Sequence, residues 1–241
     1  MTELLAVLFA YVLGSLPFGY WVPRLVRGED IRTKGSGNVG ASNVFRVYGR
    51  SLGVPVALLD LAKGFAAASL GLWAGGALIG VLAGAAAMFG HSRPVFLAFQ
   101  KGGKMVATAG GATLALAPLA AFICIGVWLV TFLLTRYASL ASIVTAVALV
   151  VLVLALGYPW PIVVFGIAGA SAVIFLHRGN IRRLLGGTEH RFELRRSPSG
   201  CARRRASFGA GSARPSRARL AAHRPFRSAR RRRRERGSSR S

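Results

Sequence analysis

The sequence predicts an all-α integral membrane protein: a bundle of about seven short transmembrane helices, N-terminus outside, with its functional loops in the cytoplasm. Three observations predict it: the composition, the spacing of the apolar runs, and the one-sided placement of Lys and Arg.

Of the 241 residues, 53% are hydrophobic and 16% charged, and the mean hydropathy is +0.49. That is too apolar for the surface of an ordinary soluble domain, so lipid is the expected solvent. The formal net charge of +25 resembles that of a nucleic-acid binder, but its distribution argues otherwise. Residues 1–193 carry 15 Lys/Arg and 6 acids, whereas residues 194–241 carry 17 and 1. The chain therefore divides into a membrane domain, 1–193, and an Arg-rich cytoplasmic tail, 194–241, built from Arg, Ser, Ala, Gly and Pro and expected to be disordered. Clustered Arg beside a membrane suits anionic lipid headgroups, and without structured aromatic platforms no nucleic-acid partner is expected.

Cys124 lies in an apolar run and Cys201 in the tail, with no CxxC spacing and no clustered His. Neither a disulfide nor a metal site is expected. The chain opens on Glu3 in place of a basic region and runs into Pro17 and Arg24 without a small-residue cleavage pattern. A retained first helix fits this better than a signal peptide.

Apolar runs fall at 3–23, 52–73, 77–90, 105–117, 119–135, 139–156 and 160–176. Several are shorter than the roughly 20 residues of a straight span, so one or two are expected to be tilted, merged or re-entrant. If the runs alternate across the membrane, segments 24–50, 91–104, 136–138 and everything after 176 share one face. Every Lys and Arg before the tail except Lys63 lies in those segments, which places them in the cytoplasm. An even number of spans would split these basic segments between two faces. Lys63 is three residues from Asp60 within the second run, on one helical face, where each offsets the other's desolvation. A structural ion pair in the bundle interior is the preferred reading over a direct substrate role.

The unusual polar residues gather in three of the cytoplasmic segments. In Thr33–Asn43, alternating glycines allow backbone N–H groups to turn toward one anion. Ser36, Asn38, Ser42 and Asn43 add neutral hydrogen-bonding groups, and Arg46 adds a bidentate cation. In the second segment, Lys101, Gly102, Gly103 and Lys104 stand immediately before a helix, joining amide donors, a positive helix terminus and two ammonium groups. The arrangement is not a P-loop, because Met105 breaks the GxxxxGK[ST] pattern. In the third, His177 is suited to proton transfer near neutral pH, Asn180 lies about one turn on, and Arg178 and Arg183 flank them. Taken singly these segments read as a flexible turn, topology-setting charges and an interfacial anchor; sharing one membrane face, they read as a phosphate-handling site.

Seven ordered segments carry a resemblance to a known family: Gly14–Gly19, Gly35–Asn43, Leu59–Gly64, Gly90–His91, Phe99–Lys104, Arg136–Ser142 and His177–Leu184. Over residues 1–192 the chain resembles the bacterial acyl-phosphate:glycerol-3-phosphate acyltransferases, the PlsY family. The resemblance implies a multi-pass protein of the bacterial inner membrane that moves an acyl group from acyl phosphate to the sn-1 hydroxyl of glycerol 3-phosphate. The products are lysophosphatidate and phosphate, a step of phospholipid biosynthesis using neither acyl-CoA nor acyl carrier protein and requiring no cofactor or metal. Its expected partners are acyl phosphate, glycerol 3-phosphate, membrane lipid and an acyl-phosphate-producing enzyme, and a monomer suffices.

On this reading Arg46, Lys101, Gly102, Gly103 and Lys104 bind phosphate, with Arg183 on a second phosphate. Ser36 and Asn38 orient substrate, and His177 with Asn180 positions or deprotonates the attacking hydroxyl. Glu189 is expected to partner a nearby Arg, since a carboxylate acting as base there would repel both substrates. Whether any protein group is the base stays open, because a substrate phosphate is itself a proton acceptor. The chain departs from the family pattern with Ser42 for Thr and Met105 for Gly; the second is expected to put bulk beside the phosphate loop.

Other assignments fit less well. The HxxxxD acyltransferase signature fails at Phe96, Arg182 and Arg195, and Asp30 and Asp60 are the only aspartates, too few for Asp-rich metal motifs. The alternative is a membrane transporter or channel for phosphorylated anions. It accounts for the spans and the charge, but not for polar motifs confined to one face, and the sequence has no internal repeat.

Overall fold

The computed structural model describes residues 1–192, and every regular element among them is helical. The elements are α1 (Thr2–Gly14), α2 (Phe18–Arg27), α3 (Ala41–Tyr48), α4 (Arg50–Ser92), α5 (Val106–Leu116), α6 (Pro118–Thr135), α7 (Ala138–Ala155), α8 (Trp160–Leu176) and α9 (Arg178–Leu185). The Arg-rich tail expected from 194 onward lies outside the described residues.

One expected run and one expected loop need correction. The run 3–23 is not one helix: Pro17 has no N–H to donate and its ring blocks the preceding turn, so α1 stops at Gly14 and α2 restarts after Pro17. The segment 24–50 is not a simple loop either, since it contains the end of α2 and the whole of α3.

The runs 52–73 and 77–90 join without an intervening loop in α4, which reverses at Gly75 (φ −168°, ψ 28°) and Gly76 (φ 71°, ψ −160°). A side chain at Gly76 would be strained in that left-handed region, so the sharp reversal depends on glycine. The two arms, 50–74 and 77–92, then lie side by side, with Gly71 against Ile79, Gly80 and Ala83. Such close approach is how apolar helices associate in lipid, where burying one apolar surface on another gains little over burying it in acyl chains.

By length and apolarity, α1 with α2, α4, α6 and α7 suit a membrane crossing, and α8 with α9, bent by 58°, makes a fifth candidate; α5 is a shorter apolar helix. The protein is therefore a multi-pass, all-helical membrane protein. The loops with the unusual residues meet at one end of the bundle. Arg32 Nη1 donates to Gln100 Oε1 at 3.0 Å, Asn38 Nδ2 to Gly102 O at 3.2 Å, and Phe192 N to Arg136 O at 2.9 Å. At the far end, Glu3 of α1 lies beside the Gly75 reversal.

Met105 is placed differently from expectation. It caps α5 with φ +68°, the left-handed conformation that explains a glycine in the family pattern. Its side chain is buried in the main apolar core with Met88, Ala112 and Phe165 and lines neither of the cavities described below. The cost of Met105 is therefore backbone strain and not obstruction of the phosphate loop.

Candidate active site

Two cavities adjoin where the loops meet. The larger, about 610 Å³, is a groove running between the helices, walled by apolar side chains such as Met88, Leu129, Leu149 and Phe165 and headed by polar ones. The smaller, about 390 Å³, is a cleft lined by Arg93, Lys101, Lys104, Arg178, Arg182 and Arg183, with no carboxylate in its lining among the described residues. Ser36, Asn38, Lys104, Asn180 and Arg183 line both. An apolar tail and a phosphate could thus occupy separate spaces while their reactive ends meet at a shared wall.

Each wall residue is set by contacts distant in sequence. Asn43, almost fully buried, donates to Lys34 O at 3.0 Å and Asn38 O at 2.9 Å and accepts from Ser36 N at 2.9 Å. It organises the Gly-rich loop, so its amide is not available to a ligand as the sequence suggested. Asn38 accepts from Gly40 N at 2.8 Å while its NH₂ reaches Gly102 O, tying the first loop to the second.

The expected amide cradle at Gly102 and Gly103 is not formed. Gly102 N donates to Ser92 O at 2.9 Å and Gly103 N to His91 O at 3.0 Å. A buried N–H must find an acceptor, and the chain returning past residues 91–92 supplies one before any ligand does. Gly103 lines the cleft and Gly102 lines neither cavity. Both glycines are needed instead for close approach, since a Cβ on either would collide with His91.

At the centre, Lys104 Nζ donates to Asn180 Oδ1. Asn180 gives its NH₂ to Glu189 Oε1 at 2.6 Å, Ser139 Oγ donates to the same oxygen at 2.7 Å, and Arg183 Nε donates to Glu189 Oε2 at 2.7 Å. Burial works against ionisation of Glu189, but the hydrogen bonds from Asn180, Ser139 and Arg183 outweigh it and hold the carboxyl below its ordinary value. Glu189 therefore partners an Arg as expected, and it also orients Asn180. Burial lowers the Lys104 ammonium to about 8, with Glu189 opposing the shift.

His177 terminates α8 at the bend into α9 and is 4% exposed. Burial, together with the Lys104 charge, lowers its pKa to about 4. The ring is thus neutral at pH 7, and with Nδ1 2.8 Å from Val173 O the proton belongs on Nδ1 and the Nε2 lone pair is free. Arg46 lies at the head of the groove and is absent from the cleft.

Asp60 and Lys63 form the expected ion pair at 2.8 Å, both buried, and Lys63 also donates to Leu16 O at 2.8 Å. His91 Nδ1 lies 3.5 Å from Asp60 Oδ1, linking the pair to the loop behind Lys104. Sequence reasoning gave no role to His91, Ser139 or Phe192. His91 and Ser139 fall within the segments that carry the family resemblance and have that much signal, whereas Phe192 is a lone apolar residue beside the Arg-rich stretch and has none.

The glycerol-3-phosphate acyltransferase family model matches residues 4–187. The glycerol-3-phosphate acyltransferase of Synechococcus sp. (strain JA-2-3B'a(2-13)) is 49% identical over 191 residues, 79% of this chain and 95% of that protein. Its counterpart in Aquifex aeolicus (strain VF5) is 45% identical over 194 residues, 80% of this chain and 100% of that one. The crystal structure of PlsY (YgiH), an integral membrane glycerol 3-phosphate acyltransferase, in its glycerol 3-phosphate form superposes with a TM-score of 0.77 at 43% identity, covering 80% of this chain and 96% of that one. The lysophosphatidic acid form gives 0.73 at 42%, with the same coverage.

Proposed function

We propose, for a chain that belongs to the glycerol-3-phosphate acyltransferase family, a reaction divided between groove and cleft. The protein is an integral membrane acyltransferase of phospholipid synthesis that acylates glycerol 3-phosphate. Its donor is acyl phosphate, and the acyl chain goes to the sn-1 hydroxyl to give lysophosphatidate. The observation that carries this reading is the wall of Ser36, Asn38, Lys104, Asn180 and Arg183 shared by an apolar groove and a cationic cleft.

The acyl chain lies in the groove, with the donor phosphate between Arg46 and Lys104. Glycerol 3-phosphate places its phosphate in the cleft against Lys101 and Arg183, while Ser36 and Asn38 orient the reacting ends. Holding both substrates at one wall turns a two-body encounter into an intramolecular one, and cations fixed in a partly dry site offset charge better than water does. The hydroxyl oxygen attacks the acyl carbonyl carbon, the carbon–oxygen bond to phosphate breaks, and phosphate leaves with the electron pair. Lys104 compensates the charge gathering on it. His177 accepts a hydrogen bond from the hydroxyl at Nε2 and positions it, with Asn180 holding Lys104 in register. Burial lowers the basicity of His177, whereas the phosphate oxygen becomes more basic as its bond to carbon breaks, so the leaving phosphate takes the proton.

The seven apolar helical runs cross the bacterial inner membrane with the N-terminus outside and this site on the cytoplasmic side, an orientation supported by the distribution of Lys and Arg. The purified protein in detergent, given glycerol 3-phosphate with either palmitoyl phosphate or palmitoyl-CoA, is expected to release lysophosphatidate only from the acyl phosphate. Turnover of palmitoyl-CoA at a comparable rate would overturn the donor assignment.

A further inference from the structure

The groove's Arg46 is held in an unusual way. Arg183 is tied to Glu189 and Arg32 to Asp30 through carboxylates, but Arg46 makes no ion pair among the described residues, and its Nε is buried without a hydrogen-bond partner. What lies against it is the ring of Phe192, 5.0 Å from the guanidinium carbon. That ring is itself fixed. Phe192 is 7% exposed, meets Phe45 of α3 at 5.6 Å and Phe132 of α6 at 5.4 Å, both edge-on, and its backbone N donates to Arg136 O at 2.9 Å. Gly187, with φ +67°, turns the chain after α9 so that residues 188–192 come back over the groove, where Glu189, His190 and Phe192 join its lining.

We propose that Phe192 is a positioning residue for acyl transfer, its ring face holding the Arg46 guanidinium so that the terminal Nη1 and Nη2 groups stay free for the phosphate of the acyl donor. A carboxylate would hold Arg46 more firmly, but it would occupy those N–H groups and cancel the charge. An aromatic face attracts a cation through its quadrupole and accepts none of the in-plane N–H bonds. The planar fork therefore remains available for bidentate contact with phosphate. Phe192 stands beyond residues 4–187 of the family match, and this inference rests on reading Arg46 as a ligand of the donor phosphate.

The test compares wild type with F192L, F192Y, R46M and the double variant R46M/F192L. Two readouts are used: KM for each substrate, and the Tm shift produced by palmitoyl phosphate alone, which reports donor binding even in a variant that turns over slowly. F192L keeps apolar volume and loses the ring. It is expected to weaken donor binding about 3- to 30-fold, to leave the KM for glycerol 3-phosphate unchanged, and to be rescued by F192Y. In the R46M background, F192L is expected to add nothing. Equal behaviour of F192L and F192Y, or an undiminished F192L effect in the R46M background, would overturn the inference and reduce Phe192 to packing. Unchanged donor binding in R46M would instead sink the reading of Arg46, and the inference with it.

Discussion

Lys104 and Asn180, 76 positions apart in the chain, meet at the wall between groove and cleft, the ammonium donating to the side-chain carbonyl. Glu189 sets the direction of that bond. By taking the Asn180 NH₂ at 2.6 Å, it leaves only the carbonyl end facing Lys104. The Glu189 charge also supports the Lys104 charge against burial.

The alkaline side of the pH profile follows from this pair. Lys104 has its pKa lowered to about 8, so kcat/KM falls as pH rises through about 8 and the ammonium is lost. Removing the Glu189 charge removes an influence that raises the Lys104 pKa, so E189Q moves the limb to lower pH. Profiles of kcat/KM for the two proteins check this; an E189Q limb at unchanged or higher pH would contradict it.

Asp60 and Lys63 are a buried pair 2.8 Å apart. D60A leaves the Lys63 ammonium without a counter-charge, and a loss of about 3–5 kcal/mol is expected. The D60L/K63M double variant removes both charges and recovers most of that loss. Thermal unfolding in detergent checks this; a D60L/K63M Tm as low as that of D60A would contradict it.

Met105 sets backbone strain at φ +68° against a side chain that is 8% exposed. M105A keeps the strain and loses the packing, at about 2–5 kcal/mol. M105G loses the same packing but relieves roughly 1–2 kcal/mol of strain. Glycine is therefore the milder substitution, the reverse of the usual order in a helical protein, and the two Tm values decide it.

Deleting residues 195–241 is expected to leave kcat and both KM values unchanged in detergent. Residues Met1–Leu194 form one compact unit by themselves, and the relatives match over a comparable length. A loss of turnover in the truncated protein, with its Tm retained, would assign the Arg-rich segment a catalytic role.

Much of the molecule was legible along the chain. Apolar runs announced the helices, because a segment surrounded by lipid must satisfy its backbone hydrogen bonds internally. The one-sided charges gather the three loops, and the residue types of Ser36, Asn38, Lys104, Asn180 and Arg183, which share a wall in the structure, stand out along the chain. The break at Pro17 is hidden in the sequence because the hydropathy of the run continues across it while the hydrogen-bond ladder does not. The partners of the Gly102 and Gly103 amides are not legible, because a Gly-rich stretch before a helix announces donors without saying which acceptor reaches them first.

The sequence by itself determined the solvent, the helical runs, the side on which charge collects and the chemical types at the site. Those are local or additive properties, present in each segment wherever it goes. Only the tertiary structure decided who pairs with whom: Asn180 turned by Glu189, Glu189 held by Ser139 fifty residues away, and Arg46 laid on Phe192. A hydrogen bond or a cation on a ring forms with whichever competing partner is brought within reach, and that reach is a property of the packed bundle.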